Sequence, residues 1–373
     1  MQPSDLIPRP EWYPTRARGG WLSVRAGLWL GVTFTTCFVT GLISHFHQHP
    51  GWISLPDGPV WGYAVSQGIH VTTGIASIPL LAVKLWSVAP RFWERPLVGG
   101  LLRMLERGSV LVLVASAVFE LVTGLLNVAQ WYAFGFYFPP VHYAVAWLAI
   151  GSIVVHVGVQ LPKVRALLSQ PEGPVSAGDL NRRDVLRLGG LAALIAAGVT
   201  AGDKLPQLRN VGVLSQRSGA GPQGVPVNRT ASAAGVVVDD DWQLMVVDRG
   251  IGRALRLADL RAMPQHSAVL PIACVEGWST TQTWTGVRLR DLAELAGVDA
   301  PEGADVTSLE QSGAFNESAL NAGQVTDGDA LLALRVNDTD LSLDHGFPAR
   351  IIVPAMPGVL NTKWVSAISF RSA

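Results

Sequence analysis

The 373-residue sequence contains only two cysteines, Cys37 and Cys274, and only 15% charged residues. One cysteine sits in an apolar run and the other before a Gly-Trp-Ser turn, settings too different for a disulfide framework. Lysine plus arginine number 28, as do aspartate plus glutamate, so the formal net charge is zero. That balance leaves no basic footprint, and no nucleic-acid partner is expected. Basic residues are also missing over long stretches, with none from Ala26 to Val83 or from Gly108 to Pro162. With 49% hydrophobic residues, concentrated before residue 202, the chain is too apolar for an ordinary soluble enzyme.

Four segments are long enough to cross a bilayer, which takes about 20 apolar residues. They run over approximately Val24–Ser44, Gly62–Trp86, Gly108–Ala129 and Val141–Leu161. Basic residues gather instead at Arg16, Arg18 and Arg25, between Lys84 and Arg107, and at Lys163 and Arg165. The positive-inside rule then predicts a cytoplasmic N-terminus, with loops 45–61 and 130–140 facing outward. Trp52, Trp61 and Trp131, near the span ends, fit an interfacial aromatic belt.

An internal repeat runs through these spans. Val39-Thr40-Gly41-Leu42 in the first recurs as Val122-Thr123-Gly124-Leu125 in the third. Ile69-His70-Val71 in the second recurs as Val141-His142-Tyr143 in the fourth. Two parallel helical hairpins would bring His70 and His142 together across a pseudo-twofold, the geometry of bis-histidine haem ligation in a four-helix bundle. His156 follows His142 at a spacing that returns it to within about 40° of the same face, roughly 21 Å further along.

Over residues 20–165 this arrangement resembles the b-type cytochrome subunits of membrane hydrogenases and formate dehydrogenases. The resemblance implies one or two haems b. His70 and His142 would hold an outer haem and His156 an inner one. Those cytochromes carry an inner-side histidine early in the first span, which Arg25-Ala26-Gly27-Leu28-Trp29 lacks. The competing reading is a set of histidines hydrogen-bonded between helices, but ionisable groups in spans are rare and usually functional. His45, His47 and His49 read as an interfacial cluster, with His45 a reserve haem ligand. Glu120 either relays protons to a quinone or hydrogen-bonds inside the bundle.

The C-terminal part alternates short β-branched strands with turns: Gly235–Val238, Leu244–Val247, Val269–Cys274, Leu331–Val336, Ala349–Val353 and Val365–Arg371. With a helix at about Leu289–Ala296, an α+β fold is expected. Cys274 closes the third of these strands, in Pro271-Ile272-Ala273-Cys274-Val275-Glu276-Gly277-Trp278-Ser279. A thiolate is a soft ligand and nucleophile, whereas most free cysteines are small buried hydrophobes.

Three motifs decide between those readings. They are Cys274 through Ser279 followed by Trp284-Thr285-Gly286-Val287; Leu343-Asp344-His345-Gly346-Phe347-Pro348-Ala349-Arg350; and Gly358 through Asn361-Thr362-Lys363-Trp364. In order, spacing and type they resemble the molybdenum-cofactor domain of the sulfite oxidase family. They are closest to its small bacterial branch, which includes the periplasmic methionine sulfoxide reductase catalytic subunit. The resemblance implies that the Cys274 thiolate binds molybdenum beside the two sulfurs of a pterin dithiolene. It implies that His345, Arg350, Asn361, Thr362 and Lys363 hold the pterin and its phosphate, with Asn228 as an upstream contact. An arginine fork, a lysine point charge and turn N–H groups suit a phosphate. The sequence stops soon after Trp364, without the dimerisation domain of animal and plant sulfite oxidases. No arginine cluster like the one those enzymes use for their anion can be placed.

Between the halves, the polar stretch Ser169–Leu180 leads to Asn181-Arg182-Arg183-Asp184-Val185-Leu186 and an apolar run to about Gly202. This resembles a twin-arginine export signal placed internally; the alternative is a fifth helix with a basic cytoplasmic flank. A molybdenum domain folds around its cofactor in the cytoplasm and must cross folded, which is the twin-arginine route. No small-residue cleavage site follows, so the run is expected to remain as an anchor. Residues 203–224 read as a tether.

Three parts are thus expected: a transmembrane b-type cytochrome over 1–165, linker, signal-anchor helix and tether over 166–224, and an oxidoreductase over 225–373. The function expected is oxygen-atom transfer outside a cell membrane, with electrons exchanged with the quinone pool through haem. Reduction of a small-molecule or protein-bound sulfoxide is preferred, and sulfite oxidation is the runner-up. A haem carrier with a non-catalytic exported domain, and a receptor lacking both cofactors, are the alternatives from other classes.

Overall fold

The computed structural model describes residues 18, 20–49, 58–94, 100–131, 133, 135–169, 182–201, 221–311, 313 and 316–372. Arg16, Trp52, the linker beyond Ser169 through Asn181 and the tether up to residue 220 lie outside the described residues. The chain forms two compact units: most of the helical part makes up one, and the α+β part makes up the other together with the end of the first long helix, from Leu42, and the start of the second, up to Gly68.

In the helical part of the chain, α1 spans Gly20–Gln48, α2 Gly62–Phe92, α3 Leu101–Val128, α4 Phe138–Leu168 and α5 Arg182–Ala201. The first four are long and apolar enough to cross a membrane. Their ends overshoot the apolar cores read from the sequence, because a helix continues into the headgroup region where polar residues are solvated. His45 and His47, expected in an interfacial loop, therefore lie in the last turns of α1. The 20-residue α5 is outside that set of four. It packs through two glycines: a Cβ on Gly189 would lie 2.7 Å from Val83 of α2, and one on Gly190 2.8 Å from Trp29 of α1. Small residues at such crossings are how apolar helices approach closely.

Phe34, Leu81 and Ala117 form an apolar cluster between the helices, with Leu30, Leu85, Leu121 and Ile153 against it. Hydroxyls within the spans bond back to carbonyls four residues earlier, as Thr36 does to Val32 and Ser77 to Thr73, so few polar atoms face hydrocarbon unpaired. Between helices, Ser77 Oγ lies 2.7 Å from Thr33 Oγ1, and Lys84 donates to the Ser23 carbonyl at 2.8 Å.

The α+β unit has two five-stranded sheets. In the first, β1 (Gln243–Asp248), β2 (Ile251–Arg256), β5 (Pro301–Ser308), β6 (Glu317–Asn321) and β10 (Val365–Ser372) run in the order β2-β1-β10-β5-β6. Only β1 and β10 are parallel there. In the second, β3 (His266–Ala273), β4 (Ser279–Arg288), β7 (Leu331–Val336) and β8 (Thr339–Asp340) are consecutive, and β9 (Arg350–Ile352) also pairs with β7.

The run Leu331-Leu332-Ala333-Leu334 is apolar throughout because β7 is covered on both faces. Leu332 and Leu334 enter one core with Val306, Ile351 and Ile368, while Leu331 and Ala333 enter the other with Cys274, Trp284 and Ile352. Alternate residues of a strand point to opposite faces, so this one strand joins both cores.

The strand expected at Gly235–Val238 does not form. A short helix, α6 (Ala231–Ala234), ends there on Gly235 at φ 66°, and Val236 donates back to the Ala231 carbonyl. That closing turn takes up the main chain, and the valines after it have no ladder partner.

Candidate active site

Cys274 directly follows β3 and begins the turn to β4. Its N–H donates to the Trp278 carbonyl at 2.9 Å, and Gly277, at φ 92°, donates to the Cys274 carbonyl at 3.0 Å. A second segment crosses this point, pairing Ala273 with Pro357. A Cβ on Gly358 would lie 2.9 Å from the Ala273 carbonyl oxygen, so the two backbones meet where only glycine fits. The thiol is 2% exposed. Burial, and then the Glu276 carboxylate, raise its pKa well above the ordinary cysteine value, whereas the Lys363 ammonium pulls the other way. Glu276 is itself held by the Trp278 indole N–H at 2.9 Å.

The segment from Leu343 to Arg350 supplies the charges. His345 is buried, and its Nε2–H donates to the Pro222 carbonyl at 2.8 Å. A carbonyl only accepts, so Nε2 carries the proton and Nδ1 keeps a lone pair. Burial pushes the His345 pKa down to about 4. Gly346, at φ 106°, has no room for a side chain: a Cβ would come within 3.0 Å of Lys363 and 3.3 Å of Arg350. Arg350 is 4% exposed, its Nε has no partner among the described residues, and its hydrogen bond to the His345 carbonyl is long at 3.4 Å. Burial lowers its pKa to about 10, against the opposing pull of Cys274.

Lys363 is 9% exposed and donates to two main-chain carbonyls, Arg229 at 2.7 Å and Asp344 at 2.9 Å. Burial, and then Arg350, lower its pKa to about 7. Among the described residues neither cation is in an ion pair. Asn361 and Thr362 turn their side chains inward instead. Asn361 accepts from Val353 N–H at 2.9 Å and donates to Met356 and Pro357, and the Thr362 hydroxyl pairs with Ser318 at 2.6 Å. What those two residues can offer a ligand is therefore main chain. Asn228 is half-buried, beside Arg229, which is ion-paired to buried Glu310.

Two buried cations that make no ion pair among the described residues are costly, and an anion with several oxygens would relieve that cost. A molybdenum–pterin phosphate is such a group, and the nearby Cys274 thiol is a soft metal ligand. The residues present fit it.

The helical unit brings His70 and His142 together, with ring centroids 6.3 Å apart and planes at 72°. His70 Nδ1 is 2.9 Å from the Cys37 carbonyl and 3.2 Å from Thr40 Oγ1. His142 Nδ1 is 3.1 Å from Thr123 Oγ1, and its Nε2 is 3.0 Å from the Glu120 carboxyl. The His45 ring lies 4.8 Å from that of His49, tilted by 51°. His156 lies further along α4, where Ile153 packs into the apolar cluster.

Residues 231–373 match the family model for the oxidoreductase molybdopterin binding domain. This part of the chain is a molybdopterin-binding oxidoreductase domain of the sulfite oxidase family. Sulfite oxidase of Drosophila melanogaster is 30% identical over 158 residues, covering 36% of this chain and 28% of the relative. The uncharacterized oxidoreductase YuiH of Bacillus subtilis is 33% identical over 133 residues, covering 35% of this chain and 65% of the relative. Sulfite oxidase of Arabidopsis thaliana is 26% identical over 152 residues, covering 31% and 38%. The chain thus spans less than two thirds of the length of each of these relatives.

Within the molybdopterin domain, three residues at the site were not singled out from the sequence. Arg229 and Asp344 hold Lys363 through main-chain oxygens, and Asp344 also caps the Ala231 N–H at 2.9 Å. Glu276 sets the charge beside the thiol. Both carboxylates lie inside the quoted motifs, and Arg229 follows Asn228 directly, so proximity in sequence was the available signal.

Proposed function

We propose that the protein is a membrane-anchored molybdenum oxidoreductase that transfers oxygen atoms outside the membrane and exchanges electrons with quinone through haem b. The observation that carries this is the pair Arg350 and Lys363, buried near the Cys274 thiol and in no ion pair among the described residues. A molybdenum–pterin group bound there supplies a two-electron centre that gives or takes one oxygen atom.

This chain's own contribution is to hold and shield that group. Cys274 would hold the metal as its thiolate. Arg350 offers its forked donors and unpaired Nε–H to the phosphate, and Lys363 adds a point charge. The Asn361-Thr362-Lys363 turn contributes main-chain N–H groups, and His345 Nδ1 accepts from the polar edge of the pterin. The buried thiol keeps bulk water from the metal ligand.

In the helical unit, His70 and His142 hold a b-type haem, which passes single electrons between quinone and the exported domain. Helix α5, with Arg182 and Arg183 at its start and Gly189 and Gly190 seated on the bundle, is a twin-arginine-type signal retained as an anchor. Sulfoxide reduction consumes two electrons and two protons and yields sulfide and water. It is preferred because the quoted motifs resemble those of the small bacterial branch of the family, which includes a methionine sulfoxide reductase subunit. Sulfite oxidation is the second reading, favoured by the relatives named sulfite oxidases.

The test is to reduce purified full-length protein with dithionite and offer it sulfoxides while following haem reoxidation. Turnover-linked reoxidation, with molybdenum found by metal analysis, supports the reading. Haem without molybdenum would make the protein an electron carrier, and reduction of haem by sulfite would establish the opposite direction.

A further inference from the structure

We propose that Thr40 and Thr123, the threonines of the two Val-Thr-Gly-Leu repeats, are positioning residues that fix the tautomer of His70 and His142 and leave each Nε2 as the ligating nitrogen. This rests on the haem reading given above.

A hydroxyl has one hydrogen to donate. Thr40 Oγ1 places it on the Thr36 carbonyl at 2.7 Å, and Thr123 Oγ1 on the Phe119 carbonyl, also at 2.7 Å. With the hydrogen committed to the helix, each oxygen can only accept from the histidine 3.2 or 3.1 Å away. The proton must then sit on Nδ1. For His70 a second acceptor agrees, since the Cys37 carbonyl at 2.9 Å cannot donate. For His142, among the described residues, the threonine is the single partner of Nδ1. Its Nε2 faces Glu120, and inside an apolar span the pairing that buries no charge is a carboxylic acid donating to the Nε2 lone pair, the same lone pair that iron would take in the acid's place.

The neighbouring glycines serve the same end. A Cβ on Gly41 would stand 3.3 Å from His70 Cε1, and one on Gly124 3.9 Å from His142 Cε1. A larger side chain at Gly41 would push the ring off its threonine. In each repeat, threonine orients the ring and glycine leaves room for it, and the matching contacts appear twice, on α1–α2 and on α3–α4.

An N–H bond from Nδ1 to an oxygen makes an imidazole a stronger donor to iron and favours the ferric state. The test is a redox titration of the haem in purified full-length protein, with Thr123→Val, Thr123→Ser and Thr40→Val. Thr123→Val, which keeps the shape and removes the oxygen, is expected to raise the midpoint potential or to lose the haem. Thr123→Ser is expected to stay at the unaltered value. Thr40→Val is expected to shift less than Thr123→Val, because the Cys37 carbonyl still accepts. A Thr123→Val protein with unaltered potential would overturn the inference, as would Thr123→Ser shifting as far as valine or Thr40→Val shifting further. Absence of a six-coordinate low-spin haem from the unaltered protein would instead sink the haem reading, and this inference with it.

Discussion

The guanidinium of Arg350 lies over the Trp284 indole, 5.6 Å from its centroid, with both side chains buried. The ring face compensates part of the charge, an effect of about 0.5–2 kcal/mol. It leaves Nε without a hydrogen-bond partner, and burial of a charge with no counter-ion costs more than that contact returns. An interior arranged this way is destabilised while empty and stabilised by an anion.

Replacing Arg350 with Met should therefore separate stability from loading. Methionine keeps an unbranched stem against Trp284 and removes the charge. The cofactor-free protein is expected to gain about 1–3 kcal/mol in denaturant unfolding, while molybdenum content after expression with cofactor falls severalfold. Loss of stability in the cofactor-free variant would mean that the charge is already compensated.

Cys274→Ser should abolish turnover with molybdenum and leave the haem spectrum unaltered, because the thiol and the histidines belong to different compact units. Serine is close in size, so the cost to the fold should be about 1–3 kcal/mol for burying a hydroxyl. Retained turnover in this variant removes Cys274 from the role of metal ligand.

Gly346 separates Lys363 from Arg350 at a φ of 106°, and a Cβ would meet Lys363 at 3.0 Å. Gly346→Ala combines left-handed strain with a contact against a backbone-held neighbour. We expect a loss of about 1–3 kcal/mol in the α+β unit, read by thermal unfolding, together with reduced molybdenum content. A neutral result would show that the 343–350 turn is not rigid in solution.

The buried His345 carries a pH signature in the cofactor-free protein. Its folded pKa is lowered to about 4 by burial, while an unfolded histidine titrates near its ordinary value of 6.5. Between those values the unfolded chain binds the proton and the folded one does not. Stability contributed by the neutral ring is present above 6.5 and is lost as the pH falls through this window. His345→Asn, which keeps an N–H donor in reach of the Pro222 carbonyl, should flatten the slope between pH 5 and 6.5 in equilibrium unfolding, an interval of about 1.5 units. An unchanged slope would place the proton uptake elsewhere.

The parts legible in the sequence are those where a side chain's chemistry and the local period agree. Leu331–Val336 reads as a strand because its apolar run is short and bounded, and β7 occupies those residues. Pro301–Ser308 was not read because Gly303, Asp305 and Thr307 interrupt the apolar pattern, although its alternate residues are buried. Gly235–Val238 was read as a strand from its valines, and the capping turn at Gly235 won. At the site, Cys274, His345, Arg350 and Lys363 stand out by residue type. Arg229 and Asp344 act on Lys363 through main-chain oxygens, which any residue possesses. The helical repeat was visible as four letters, but the direction of its hydrogen bonds depends on which carbonyl each threonine has already taken.

Haem number gives the last prediction. His70 and His142 meet near one end of the spans, whereas the region around Ile153 is filled by Phe34, Leu81, Ala117 and Leu121. A second haem on His156 would have to displace packed apolar side chains, each worth about 1.5–3 kcal/mol when buried, and would need an axial partner that α1 does not provide there. One haem per chain is therefore expected by pyridine haemochrome assay against protein concentration. His142→Ala should remove its low-spin absorbance, and His45→Ala and His156→Ala should leave it in place. A stoichiometry of two, halved by His156→Ala, would show that the apolar cluster opens around an inner haem and that the single-site reading is wrong.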